Sequence, residues 1–304
     1  MCKDTISVFQ FMEIFPNEGK AIEWFESKRW ANGVSCPSCG DNQITSLKRD
    51  HFYKCKGCGL NFTVRTNTVM HRSHIPAHKW LYAMYSLVTA RKGISSLQLS
   101  KEMGITQKSA WGLLHKLREA CGSNDPLLGN VVEIDETYIG GKEKNKHAKN
   151  KQNKGRGAVG KQGVMGIRER DGSVSAFTIP NSSRATLHAG VYNNVTAGAT
   201  FYTDEFRSYI GLTADYTHET VCHSIGEFVR GMAHTNGIES VWALLKRGFN
   251  GVYHKMSFKH LDRYLKEFTF RLNEGNVKAH TMDRLDAMAS GMFGKRVTIK
   301  NLVG

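Results

Sequence analysis

The sequence predicts an α/β core preceded by two small modules, a metal-held ribbon and a helix-turn-helix. Three observations carry that expectation. Two Cys-x-x-Cys-Gly units stand 15 residues apart near the start of the chain. A pair of capped helical stretches follows, with a glycine between them. From 130 to 210, apolar and polar residues then read as strand, long basic loop, strand pair, helix and strand.

Size and charge bound what such a chain does. Its 304 residues, 40% of them hydrophobic, suffice for one mid-sized core plus a smaller module. A net charge of +15 and an isoelectric point near 9.5 attract polyanions. Each phosphate neutralised by Lys or Arg releases condensed counterions, so nucleic acid is the leading partner. A membrane surface is the competing partner for a basic protein. The chain has no run of about 18 apolar residues, and Met1–Phe15 lacks the basic and apolar regions of a signal peptide. The expectation is therefore a cytoplasmic, nucleoid-associated protein without membrane contact. Cysteines stand at 2, 36, 39, 55, 58, 121 and 222. In a reducing compartment the two close pairs point to metal rather than disulfides. Cys2, Cys121 and Cys222 read as ordinary small or buried residues.

In chain order, residues 5–30 have helix-like spacing broken by Pro16, and lead through an exposed Lys28-Arg29 pair to Trp30. Residues 34–65 are short, Gly-punctuated and β-like, and Ile44–Cys55 reads as a hairpin between the cysteine pairs. Zn²⁺ prefers a tetrahedron of soft thiolates, and each turn supplies two, so Cys36, Cys39, Cys55 and Cys58 suit one ion. Gly40 and Gly59 let the backbone turn tightly around it. Four thiolates close the shell, which makes the zinc structural. Zinc ribbons also serve protein–protein modules, so this one alone does not establish DNA contact.

Helical spacing resumes from Ala77 to about Ala120. Ser95 or Ser96 caps a first helix carrying Leu97, Leu99 and Met103, Gly104 turns the chain, and Thr106 caps a second helix through Ala110, Leu113, Leu114 and Leu117. Gln107, Lys108, Ser109 and Trp111 then lie near the N-terminus of the second helix, where base-reading side chains sit. A plain helical hairpin has the same pattern. Its position after a ribbon in a basic chain favours DNA.

Three acids occupy telling places in the α/β core. Asp135 lies on the strand Asn130–Ile139, on one face with Val131, Glu133 and Thr137. Asp204 ends a second strand that starts at Ala199, where ligand sites of α/β sheets gather, and a helix is expected directly after it. Glu239 sits early in the helical stretch His234–Phe249, off the stripe of Ile238, Val241, Trp242 and Leu245, with Asn236 as the expected cap. Lys246, seven positions on, shares the face of Glu239. Acids so arranged suit two Mg²⁺ ions that activate a water or 3′-hydroxyl and stabilise the leaving oxygen, while Lys246 grips a phosphate. Any one acid alone reads as a solvated surface group; the trio is what points to chemistry.

At these motifs the chain resembles a known family. Cys36–Gly40 (CPSCG), Tyr53–Thr68 (YKCKGCGLNFTVRTNT), Glu133–Lys142 (EIDETYIGGK), Phe201–Tyr209 (FYTDEFRSY) and the long stretch His234–Asn273 look like bacterial insertion-sequence transposases of the 1595 family. The resemblance runs from about Phe15 to Asn273. It implies a ribonuclease-H-like mixed sheet with flanking helices, and Mg²⁺-dependent cleavage and strand transfer of DNA, with Mn²⁺ as a substitute metal. Asp135, Asp204 and Glu239 match the family's acid triad, and Lys246, followed by Arg247, matches its basic residue. The third position varies among relatives, some of which use Asn or His, so Asn236 and His234 stand beside Glu239 as alternatives. The implied partners are double-stranded DNA, terminal inverted repeats and target DNA, bound by a homo-oligomer.

Between Lys142 and Lys161 eight Lys or Arg accompany one acid. A charge run is usually a solvated loop; following the first acid-bearing strand, Lys142, Lys144 and Lys146 are instead expected to contact phosphates. His254, Lys255, Lys259, His260 and Arg263 form another basic cluster, on a helix whose core stripe runs Phe258, Leu261, Leu265, Phe268 and Leu272. Tyr253 and Tyr264 are candidates to stack on an unpaired base, with packing the more ordinary role. The expected organisation is N-terminal helices and ribbon over 1–75, helix-turn-helix over 76–125, catalytic domain over 126–275, and a weakly periodic tail over 276–304. Two rival readings share these features: a DNA-binding regulator that never cuts, and a ribonuclease-H-like nuclease without strand transfer.

Overall fold

Pro16 divides the first helical stretch in two. The computed structural model describes residues 5–122, 127–141, 146–151, 159–204, 207–212, 215–221, 229–231 and 233–303. Helix α1 (Val8–Ile14) begins at a capping box, in which Ser7 Oγ accepts from the Gln10 N–H at 3.2 Å and Gln10 Oε1 accepts from the Ser7 N–H at 2.8 Å. Asn17 caps α2 (Glu18–Arg29). Arg29, expected to be exposed, is half-buried instead. Its guanidinium donates to the carbonyls of Val64 and Thr66 at 2.6 Å each, and burial lowers its pKa to about 10. Strands β1 (Ile44–Ser46), β2 (Tyr53–Cys55) and β3 (Asn61–Phe62) form the antiparallel ribbon.

Helix α3 (Ala77–Thr89) starts after a proline that offers no side-chain cap. The Glu18 carboxylate takes that role from α2, accepting from the N–H groups of Ala77 at 2.8 Å and His78 at 3.0 Å. Helices α4 (Ser96–Met103) and α5 (Gln107–Ala120) are capped by Ser95 and Thr106, and Gly104 closes α4 in the left-handed region at φ 59°. Leu99 and Met103 are buried, whereas Leu97 is 57% exposed.

The second unit of the chain, 124–273, is built on a five-stranded sheet. It contains β4 (Val131–Ile139), β5 (Gln162–Glu169), β6 (Val174–Ile179), β7 (Thr200–Asp204) and β8 (Thr217–Val221), in the order β6-β5-β4-β7-β8. The β6-β5-β4 pairs are antiparallel, and β4-β7-β8 are parallel. That order and mixture of directions is the ribonuclease-H-like sheet. Helix α6 (Arg184–Asn194) covers one face with Leu187 and Val191 over Val132, Ile134 and Phe201. Helices α7 (Asn236–Gly248) and α8 (Leu261–Leu272) cover the other with Ile238, Trp242, Leu245, Leu265 and Phe268. The edge strand β6 is tied to α8 at both ends. Asp262 accepts from the Thr178 N–H at 2.9 Å, and Asn273 makes two hydrogen bonds with the backbone of Val174. Such covering blunts a sheet edge that would otherwise pair with other chains.

Residues 274–304 belong with 1–123 in the first unit. They form α9 (Thr281–Ser290) and α10 (Ile299–Val303). Arg284 is 1% exposed and donates to the Val88 carbonyl at 2.8 Å, which is why apolar spacing alone reads this segment so faintly. After Asp204 the described residues form a 3₁₀ turn, Arg207–Tyr209, where the sequence predicts a helix. Among the described residues no helix is long and apolar enough to cross a membrane.

Helix α7 packs closely on the sheet at Gly166 of β5, which pairs with Asp135 of β4. A Cβ there would lie 2.4 Å from two ring atoms of Trp242 and 2.9 Å from Ile238. Gly166→Ala is expected to cost about 1–3 kcal/mol through overpacking, read as a lower urea midpoint. An unchanged midpoint would contradict this contact.

Candidate functional site

The acid site begins with strand register. Pairing of β4 and β7 aligns Val131 with Thr200, Val132 with Phe201 and Glu133 with Tyr202, and no pair follows. Continuing that register puts Asp135 level with Asp204, beyond the last ladder pair of two parallel strands. Helix α7 adds Glu239 and Lys246. Asp135, Asp204, Glu239 and Lys246 together line an open cavity of about 470 Å³. Arg247, also exposed in the last turn of α7, is not among its lining residues.

Each acid is held differently. Trp242 Nε1–H donates to Asp135 Oδ2 at 3.0 Å, and the Glu136 N–H donates to Oδ1 at 2.8 Å. Thr235 Oγ1 donates to Glu239 Oε1 at 3.3 Å. Burial first, with Asp204 and Glu239 nearby, pushes the Asp135 pKa up to about 6. Glu136, a fourth acid lining the cavity, is pushed up to about 7 by burial, although it accepts a hydrogen bond from Tyr209. These are oxygen donors crowded in one place, with Lys246 the one cation among the described lining residues, a donor set suited to hard divalent ions.

The N-terminus of α7 is fixed from outside the helix. Asn236 is not its cap: it is the first helical residue, and Thr235 at the cap position makes no side-chain capping bond. Glu133 Oε2 accepts from the Ile238 N–H at 2.9 Å, while Oε1 accepts from Arg170 Nε at 3.1 Å. His234 Nδ1 lies 3.3 Å from Oε1, and the Arg170 guanidinium stacks 4.6 Å over the Tyr202 ring. Glu133 is only 1% exposed. Its sequence signal was an acid among apolar residues on the same face as Asp135. Behind Asp204, Thr203 Oγ1 meets His218 Nε2 at 2.8 Å, and burial lowers the His218 pKa to about 4. His218 lies on β8, a strand that sequence patterning passed over.

In the first unit the four ribbon cysteines come together as expected. Their Sγ atoms all lie within 4.8 Å of one another, with Cys36–Cys58 and Cys39–Cys55 both at 3.6 Å. Zn–S bonds of about 2.3 Å in a tetrahedron require S–S spacings of about 3.8 Å, so the set fits Zn²⁺. Burial opposes ionisation of Cys36, but the N–H groups of Cys39 and Ser38 bring its pKa down to about 7, while the neighbouring thiols hold Cys39 and Cys55 up, so the four sulfurs do not all ionise without a cation among them. Cys121 is buried, and Cys2 and Cys222 lie outside the described residues.

Gln107 and Lys108 are exposed on the first turn of α5. Gln107 Nε2 donates to Ser96 Oγ at 2.8 Å, linking the two helix starts, and Trp111 packs on His115 with ring centroids 4.3 Å apart. Lys142 and Lys144 lie outside the described residues; Lys146 is described and half-buried. Tyr253 donates to Glu267 at 2.6 Å and packs edge-on against Tyr264, so both tyrosines serve the core. Phe258, expected in the core stripe, is 48% exposed.

Comparison with known proteins matches residues 126–273 to an ISXO2-like transposase domain and residues 16–61 to a transposase zinc-ribbon domain. A protein in transposable element ISH50 of Halobacterium salinarum is 30% identical over 275 residues, spanning 86% of this chain and 92% of that relative. A transposase-like protein of Haemophilus influenzae is 33% identical over 110 residues, 35% of this chain and 85% of that one. Among solved structures, the Mos1 strand transfer complex gives a TM-score of 0.30 at 12% identity, covering 72% of this chain and 79% of that one. That score is too low to bear on fold or chemistry, and the fold rests on the chain's own strand order.

Two outcomes are expected from these sites. Purified protein should carry one zinc per chain, and Cys55→Ser should lose it, as read by metal analysis; zinc-free wild type prepared without chelator would refute the ribbon site. Glu133→Ala strands Arg170 and the Ile238 N–H in a buried place, and should cost about 3–5 kcal/mol in urea unfolding. A loss below about 1 kcal/mol, the scale of an ordinary hydrogen bond, would mean that Glu133 does not clamp the helix.

Proposed function

Because the chain belongs to the ISXO2-like transposase family, we propose that it cuts the ends of an insertion sequence and joins them to target DNA by a two-metal mechanism at Asp135, Asp204 and Glu239. One observation carries the reading: these acids and Lys246, from two strands and a helix, converge on one cavity of about 470 Å³. A DNA-binding regulator would leave that convergence without a role.

Asp135 and Asp204, level on neighbouring parallel strands, are the residues that would hold both Mg²⁺ ions, and Glu239 would complete the shell of the second. Bound there, the ions supply an activated water or 3′-hydroxyl and stabilise the leaving oxygen. Trp242 and the Glu136 N–H orient the Asp135 carboxylate, each bonded to one of its oxygens, which leaves a further lone pair on each oxygen for metal. Lys246 grips the scissile phosphate. Arg247, Lys146 and the Lys142 and Lys144 positions serve neighbouring phosphates, and Gln107 and Lys108 read or position the terminal repeat from α5. The zinc held by Cys36, Cys39, Cys55 and Cys58 stabilises a ribbon too small to bury a core of its own. The +15 charge fits nucleoid DNA as the partner, bound by several copies of the chain so that both ends of an element are held.

The test is cleavage and joining of terminal-repeat DNA in Mg²⁺. Asp135→Asn, Asp204→Asn and Glu239→Gln should each abolish both steps while zinc content, folding and DNA affinity stay near wild type. Lys246→Ala should slow cleavage by about 100-fold, the scale of one charge-stabilising donor, and Asn236→Ala should be milder. Full activity in either Asp→Asn variant would sink the mechanism. A dead Asn236→Ala beside an active Glu239→Gln would move the third ligand to Asn236, and cleavage without joined products would leave a nuclease.

A further inference from the structure

Beside the acid cavity lies a second one of about 790 Å³, and Lys246 lines both. Their chemistry is opposite. Among the described residues four acids line the first. The described lining of the second has Lys161, Lys246 and Lys255 with the apolar Phe249, Met256 and Phe258, and no carboxylate. Gly140 and Gly141 give it a stretch of wall without side chains.

The backbone is bent to make this space. Helix α7 runs into a single π-helical turn over Phe249–Tyr253, a feature frequent at functional sites. His254 then turns in the left-handed region at φ 55°, its N–H donating to the Phe249 carbonyl at 2.7 Å. A non-glycine residue there carries strain that the surrounding structure must hold in place. The turn leaves Phe258 with 48% of its surface exposed, while Met256, two residues earlier, is 4% exposed.

We propose that this second cavity receives an unpaired nucleotide of the strand whose scissile phosphate sits at the acid cavity, its base stacked on Phe258 and Phe249 and its phosphates held by Lys161 and Lys255. The assignment deepens the transposase reading and rests on it. Three lysines with no acid among the described lining residues select a polyanion, and the exposed Phe258 ring, beside the half-buried Phe249, selects a flat aromatic group. A nucleotide joins both properties in one ligand. Bases inside a duplex are already stacked on their neighbours, so the ring must meet a base that is extruded or at a frayed end. Continuity through Lys246 makes that nucleotide a near neighbour of the reacting phosphate.

The experiment compares two DNA probes on the full zinc-loaded chain without Mg²⁺: a blunt terminal-repeat duplex, and the same duplex with three unpaired nucleotides at the end to be cut. The middle unpaired base is 2-aminopurine, whose emission falls when it stacks on a ring. Wild type should bind the unpaired end more tightly and quench it. Phe258→Ala should lose about 10-fold in affinity for the unpaired end, within the range of one base–ring stack, with blunt-duplex affinity kept. Phe258→Trp should restore both the preference and the quench. Equal binding of the two probes by wild type and Phe258→Ala, without quenching, would overturn the proposal. So would a Phe258→Ala variant whose only change is a smaller oligomer in light scattering, since the cavity would then serve a protein contact. The two readings fail separately: a chain that cuts and joins DNA without end preference refutes the pocket alone. One that quenches the base yet never cuts refutes the transposase mechanism alone.

Discussion

The acid-bearing unit depends on one hydrogen bond between a buried carboxylate and a helix N-terminus, from the Ile238 N–H to Glu133 at 2.9 Å. Glu133 stands two residues before Asp135 on β4, and Ile238 stands one residue before Glu239 on α7. Fixing the first pair therefore fixes the second. The first turn of a helix has unsatisfied N–H groups and a partial positive charge, so an anion placed there is favoured twice over. Arg170 pairs with the other oxygen of Glu133, giving a nearly dry carboxylate the cationic partner that burial requires. Glu18 does the same for α3 in the other unit, with Arg65 as its cation at 3.0 Å.

From that clamp follows the division of labour along α7. Its buried stripe crosses Gly166 with Ile238 and Trp242, where the missing side chain lets Trp242 reach Asp135. Its open face carries Glu239 and then Lys246, separated by almost two turns. The helix thus leads from the acids to the basic, ring-lined cavity beyond its end. A single rigid element sets the spacing between Glu239 and Lys246, the proposed metal ligand and phosphate grip, which a loop alone would hold less well.

Much of this was legible in the sequence, because the signals were local. The cysteine spacing, the caps at Ser95 and Thr106, Gly104 and the apolar stripe of α7 each act within a few residues. The order of elements from β4 to β7 was readable for the same reason. What escaped depends on contacts between distant positions. Strand β8 has too few apolar residues to stand out, because only the sheet supplies its neighbours. Asn236 reads as a cap by composition, yet the capping group arrives from 105 positions away. Arg29 and Arg284 look like surface charges until backbone carbonyls from other elements enclose them. Phe258 fits a helical stripe on paper, but the π turn and the left-handed His254 shift the register before α8 begins.

The acids also put the site at odds with the stability of the fold, and the sign of that conflict can be worked out. Asp135 moves from an ordinary value of 3.8 to about 6, and Glu136 from 4.5 to about 7. Both are raised, so between about pH 4 and 7 the folded chain binds more protons than the unfolded one, and its stability falls as pH rises through that window. The cause is burial first, with neighbouring carboxylates adding to it, and those same carboxylates are the proposed metal ligands. A divalent cation entering the cavity would supply the positive charge that the cluster lacks, favouring the ionised acids and removing the penalty where it is largest. The folded scaffold, with α7 clamped by Glu133 and Asp135 anchored by Trp242, keeps the acids together in the meantime. Burial, with their mutual repulsion added, is therefore the penalty that a cation in the proposed metal site would relieve at neutral pH.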